Sequence, residues 1–256
     1  MNPTVPRPLA RLLAVTATVL ALVGALVGLS ARAADAAPAD APGAPGAAAT
    51  WTTGDKEGLG TSQSSASKVW YTLTGGTMSE VYYPSGVTPN VRELQFAVTD
   101  GASWTQLETD ATVTRSVTLA DRSSLTYQQT SADQQGRWRL TKTYITDPAR
   151  PTVLVDVSFE RLKPGAMQLF ALYDPSLAGD SGNDSGTSSG PSLTASDTHD
   201  AKTPIGSALV SSAPFVATST GYVGTSDGAT TLRTNHTLTP TYASAGPGNI
   251  AQAGQV

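Results

Sequence analysis

Residues 137–145 read Arg-Trp-Arg-Leu-Thr-Lys-Thr-Tyr-Ile. Trp138, Leu140, Lys142 and Tyr144 alternate with Arg137, Arg139, Thr141 and Thr143. A period of two is that of a half-buried strand, because successive Cβ atoms point to opposite faces of a sheet. Working outward, the same alternation recurs. Upstream lie Val69, Tyr71 and Leu73 before Gly75-Gly76, and Leu94, Phe96 and Val98 before Asp100-Gly101; Val113, Val117 and Leu119 follow, then Leu125 and Tyr127. Glycine suits the turns because two-residue hairpins demand positive φ. Downstream, Val153, Val155, Val157 and Phe159 share one face, and Met167 to Tyr173 is more continuously apolar, as expected of a central strand covered on both sides. Short runs at 208–210, 215–217, 222–224 and 230–233 read as further strands, with Asp227-Gly228 as a turn between the last two. No window after residue 50 holds a 3.6-residue apolar stripe over three turns. The expected class is all-β: a large antiparallel sandwich of two packed sheets.

Composition narrows function. The 256 residues include no cysteine, which excludes a disulfide framework, a thiolate nucleophile and Cys-ligated zinc. The net charge of −4 comes without a basic block, so an electrostatic nucleic-acid surface is not expected. Arg7 and Arg11 precede an apolar run from Leu12 to Leu29, and Ala31-Arg32-Ala33 supplies small residues for a peptidase. That order predicts a secretory signal over 1–33, hence an extracellular protein without stable membrane insertion. The rival reading is a single membrane anchor. Ala34 to Thr50, rich in Ala, Pro and Gly, reads as a disordered spacer, and the fold is expected over 51–256.

Several motifs carry little. Gly179-Asp180-Ser181-Gly182 resembles a serine-protease nucleophile segment, but both histidines, His199 and His236, follow it. Gly186-Thr187-Ser188-Ser189-Gly190 fits G-x-S-x-G without the strand–turn–helix context that motif needs. Both fall in a Gly/Ser/Asp-rich stretch, 174–202, that reads as a long loop, either functional or disordered. Asp174, Asp180, Asn183 and Asp184 offer oxygens to calcium, but their spacing fails the EF-hand pattern, and no metal site is expected. Glycoside hydrolysis needs two facing carboxylates. Glu80, Glu93, Asp100, Glu108, Asp156 and Glu160 lie in strand-like segments, and surface charge or hairpin support is the ordinary reading of each. Trp51, Trp70, Trp104, Trp138 and Tyr82-Tyr83-Pro84 could stack on sugars or fill the core.

The most distinctive segment is Val81-Tyr82-Tyr83-Pro84, continued by Thr88-Pro89-Asn90-Val91-Arg92-Glu93-Leu94-Gln95-Phe96 and Val98-Thr99-Asp100-Gly101. With Gly58-Leu59-Gly60-Thr61-Ser62, Ser67-Lys68-Val69-Trp70-Tyr71 and Asp174-Pro175-Ser176-Leu177, it resembles the N-terminal domain of bacterial glucoamylases and glucodextranases, glycoside hydrolase family 15. The resemblance implies a galactose mutarotase-like super-β-sandwich placed before an (α/α)6 barrel. The barrel carries the two catalytic glutamates that release glucose, by inversion, from α-glucan ends. The sequence given stops at Val256 before any helical repeat, so the sandwich is expected either complete or short of its last strands. No residue here matches the family's acid or base. Expected, therefore, is a non-catalytic domain with no cofactor, which packs against the barrel and shapes its cleft for α-glucan or maltooligosaccharide. Tyr82, Tyr83, Pro84 and Arg92 are the candidates for facing that cleft, and an uncovered docking face is expected to be apolar. The alternative is a freestanding carbohydrate-binding module for α-glucans.

Overall fold

The computed structural model describes residues 40–200 and 203–256. The expected signal segment and the start of the expected spacer lie outside them. Along the chain run β1 (Gly58–Thr61), β2 (Trp70–Thr74), β3 (Thr77–Tyr82), β4 (Pro89–Thr99) and β5 (Thr105–Leu107). Then follow β6 (Val113–Asp121), β7 (Thr126–Asp133), β8 (Trp138–Thr146), β9 (Val153–Arg161) and β10 (Gln168–Pro175). The last part holds β11 (Ser185–Ser189), β12 (Ser192–Asp197), β13 (Ile205–Val210), β14 (Thr218–Tyr222), helix α1 (Gly228–Asn235), β15 (Ser244–Ala245) and β16 (Ile250–Gln255).

These strands make an antiparallel sandwich. Its first layer is an eight-stranded sheet in the order β1-β2-β3-β4-β10-β16-β14, with β5 beside β4. The second layer is split into two four-stranded sheets, β6-β7-β8-β9 and β13-β12-β11-β15. Alternation along β4 and β10 sets what faces the gap: Leu94, Phe96 and Val98 pair with Tyr173, Ala171 and Leu169. They meet Val113, Trp138, Leu140 and Tyr144 from one small sheet, and Leu193 from the other. The period read over 137–145 thus holds, Lys142 included.

Lys142 is fully buried. Its ammonium donates to Gly76 O at 2.6 Å and lies 2.7 Å from Glu108 Oε1. Glu108 also accepts from Phe96 N at 2.8 Å and Ser131 Oγ at 2.6 Å. Desolvation pulls the Lys142 pKa below the ordinary lysine value, against the raising effect of Glu108.

Three expectations fail, for physical reasons. The run 230–233 is helical, because Asp227 acts as an N-cap rather than a turn residue: it accepts from Thr230 N at 2.9 Å and Thr230 Oγ1 at 2.7 Å. The helix has no apolar stripe because one residue, Leu232, seats it with Leu238 on Ala97, Phe170, Leu172 and Ala253, the outward side of the large sheet. A Cβ on Gly228 would lie 2.3 Å from the Ala253 Cβ. Gly228→Ala should therefore lower stability by about 1–3 kcal/mol in urea denaturation despite its better helix propensity.

The stretch 174–202 is not a loop. Two short helical turns, Leu177–Gly179 and Ser181–Asn183, precede the hairpin β11–β12. Small side chains are needed there because the layers approach closely: a Cβ on Gly186 would come within 2.5 Å of Ile250 Cδ1. Nor is 40–50 a free spacer. Ala41 N donates to Ser244 O at 2.9 Å, Ala47 N to Val223 O at 2.9 Å, and Asn249 N to Pro45 O at 2.7 Å. This strap has little side chain to bury, but its backbone groups are satisfied against the body of the fold.

Candidate functional site

The outward face of the large sheet changes character along β4 and β10. At one end Ala97, Phe170 and Leu172 lie under α1; at the other, Glu93 and Asp174 are register partners. A cleft of about 250 Å³ opens there, lined by Arg92, Glu93, Gln95 and Asp174 with Gly224, Asp227 and Thr230 of the loop and helix. The Arg92 guanidinium organises it. Nη1 donates to Asp174 Oδ2 at 2.8 Å and Glu93 Oε2 at 3.1 Å, and Nε donates to Thr50 O of the strap.

Burial pushes the Asp174 carboxyl up to about 7; Arg92 pulls it down, while Glu93 and Asp227 push it further up. Its Oδ1 is buried without a hydrogen-bond partner. Glu93 is also raised by burial, against the pull of Arg92. Glu80 goes the other way: burial would raise it, but hydrogen bonds from Lys56, Thr52 and Thr72 take it below the ordinary value. The end of the strap and the residues after it, 50–56, thus cross three strands. Thr50 meets β4, Thr52 and Lys56 meet Glu80 on β3, and Asp55 O accepts from Thr74 Oγ1 of β2 at 2.7 Å.

Of the sequence-predicted residues, Arg92 sits in the cleft and Tyr82, Tyr83 and Pro84 do not line it. Tyr82 ends β3 opposite Pro89, and a cis peptide joins Tyr83 to Pro84. Asn90 ties this turn to the first helical turn, donating to Tyr83 O at 2.6 Å and accepting from Ala178 N at 3.0 Å. Tyr83 (41% exposed), Val87 and Trp51 (44% exposed) are open to solvent, and a Cβ on Gly179 would contact both Pro89 and Trp51. Apolar surface therefore lies at the end of the sheet, beside a charged cleft.

Asp174 was weighed for calcium and Glu93 for hydrolysis, but their partnership depends on strand register, which local pattern does not reveal. The other calcium candidates diverge: Asp180 accepts from Gly182 N at 2.9 Å, and Asp184, buried, accepts from Leu177 N at 3.1 Å. Among the described residues no group of three or more His, Asp or Glu is placed to hold a metal ion. Ser181 of the protease-like segment is buried, with its Oγ 2.9 Å from Ser176 Oγ.

This antiparallel sandwich is of the class of N-terminal sandwich domain found in glucoamylase-type proteins. The solved structure of a bacterial glucoamylase complexed with acarbose superposes with a TM-score of 0.73 at 30% identity, over 86% of this chain and 33% of that one. The family described as glucodextranase, domain N, matches residues 41–256, and the chain belongs to that family. A glucoamylase from Clostridium sp. (strain G0005) is 39% identical over 135 residues, 52% of this chain. The match spans 19% of that relative's length. The family match begins at Ala41, within the strap rather than after it.

Proposed function

We propose that this chain is the non-catalytic N-terminal domain of a secreted, exo-acting α-glucan hydrolase, and that it packs against an (α/α)6 catalytic barrel and shapes its substrate cleft. The observation that carries the reading is how the carboxylates are held. Glu93 and Asp174 share one guanidinium nitrogen, so both carboxylates are tied to Arg92. Glu80 is paired with Lys56 at 2.5 Å, Glu108 with Lys142 at 2.7 Å and Asp133 with Arg137 at 2.5 Å. Carboxylates so committed hold the sandwich together rather than move protons.

The docking surface in this reading is the sheet end where Trp51, Tyr83 and Arg92 lie, since aromatic and arginine side chains dominate interface energetics. Incubated with dextrin, the purified chain is expected to release no glucose above a blank; release in proportion to protein overturns the reading. The solvent-open rings of Trp51 and Tyr83 support a second reading, a glucan-binding module. Calorimetric affinity for maltooligosaccharides that Trp51→Ala abolishes would favour it.

A further inference from the structure

An edge strand exposes backbone groups that can pair with another chain, and folds usually blunt such edges. Most edges of this sandwich are blunted. β14 is covered where Thr220 N donates to Tyr242 O at 2.8 Å. β1 has four residues and β15 two. β6 is bulged between Leu119 and Asp121 and sends Arg115 to Glu108 O at 2.6 Å. β9 is different. It runs for nine residues, Val-Leu-Val-Asp-Val-Ser-Phe-Glu-Arg, in unbroken register with β8, with no proline or lysine.

Which backbone groups of β9 are open follows from its two ends. Asp147 N donates to Thr152 O at 2.9 Å, and Leu162 N to Arg137 O at 2.8 Å. Bonded and non-bonded positions alternate along an antiparallel ladder. Residues 154, 156, 158 and 160 therefore bond to β8, and Val153, Val155, Val157, Phe159 and Arg161 turn N–H and C=O toward the open edge. The same odd residues face the layer interior: Val153, Val155 and Phe159 pack against the core, and Val157 is 36% exposed. The open backbone groups thus run along one line, with the Val157 side chain exposed at its centre.

We infer that β9 pairs antiparallel with β9 of a second copy of this chain, centred on Val157, joining two four-stranded sheets into one. The charge pattern selects both partner and register. About Val157, Val155 faces Phe159, Val153 faces Arg161, Asp156 faces Ser158 and Leu154 faces Glu160, so no like charges stand opposite. Of the two nearest registers that keep the open groups aligned, one sets Asp156 against Asp156 and the other sets Asp156 against Glu160, both destabilising. Of these three registers, only the Val157-centred one is free of such a clash, and it also pairs the most residues.

Sedimentation velocity of the purified protein across the micromolar range tests this. The native chain is expected to show a concentration-dependent monomer–dimer equilibrium. Val157 faces itself, so Val157→Lys and Val157→Asp should each weaken self-association by about tenfold or more. Mixing the two variants should restore the dimer, because lysine then faces aspartate. Thermal melts of both variants should stay cooperative, as Val157 is partly exposed. A native chain that stays monomeric overturns the inference. So do variants that dimerise as the native chain does, or a mixture that stays monomeric.

Discussion

Lys142→Ala is expected to destabilise the fold by about 3–5 kcal/mol, because it leaves the Glu108 carboxylate buried without its cation. Both side chains are essentially inaccessible, at 0% and 1% exposure, so water cannot replace the lost partner. The bonds from Phe96 N and Ser131 Oγ remain but do not neutralise the charge. The double replacement Lys142→Met with Glu108→Gln should recover most of the loss, since glutamine keeps an acceptor for those donors and methionine fills the lysine stem's volume. Urea denaturation of the single and double variants reads this directly. A double variant no more stable than Lys142→Ala would show that packing, not the stranded charge, dominates.

Asp174→Asn is expected to stabilise the fold at alkaline pH, by up to about 4 kcal/mol, and to do little at acid pH. The native carboxyl titrates at about 7, above the unfolded-chain value near ~3.9, so the folded state binds its proton more tightly. Between those values the folded state holds more protons than the unfolded one, and stability falls as pH rises. Below about pH 4 both states are protonated and the contribution is fully present; above about pH 7 it is lost. Asparagine copies the neutral acid, retains an oxygen for Arg92 and removes that slope. Asp184, also raised to about 7 by burial, leaves a smaller slope of the same sign in the variant. Thermal midpoints measured from about pH 4 to about pH 8 decide it, and a variant that tracks the native chain throughout would refute it.

What the sequence disclosed and what it hid divide along one physical line. Side-chain periodicity reports which face of a strand is buried, so β4, β8 and β9 were legible from alternating apolar residues, β10 from its continuous apolar run, and the face of Lys142 with them. Where the backbone or small residues make the contact, periodicity is silent. In the strap 40–50 and the hairpin β11–β12, Gly43, Gly46 and Gly186 stand where a Cβ would collide with Thr225, Asn249 O and Ile250. α1 was hidden for a related reason, since a single leucine and an aspartate cap suffice to hold eight residues against a sheet. The candidate site was half legible. Arg92 stands out in its motif, but its carboxylate partner on β10 is 82 residues away and is brought beside it only by strand order.

That strand order also fixes a sequence in time. β16 sits between β10 and β14 rather than at an edge, and Asn249, just before it, binds both Pro45 and Ala47 of the strap. As synthesis proceeds, most of the strap waits for partners far downstream, Val223, Ser226, Ser244 and Asn249, and the large sheet keeps a gap until β16 fills it. Closure over such long separations is slow. The strap and the large sheet of this domain are therefore completed together, late in the domain's synthesis.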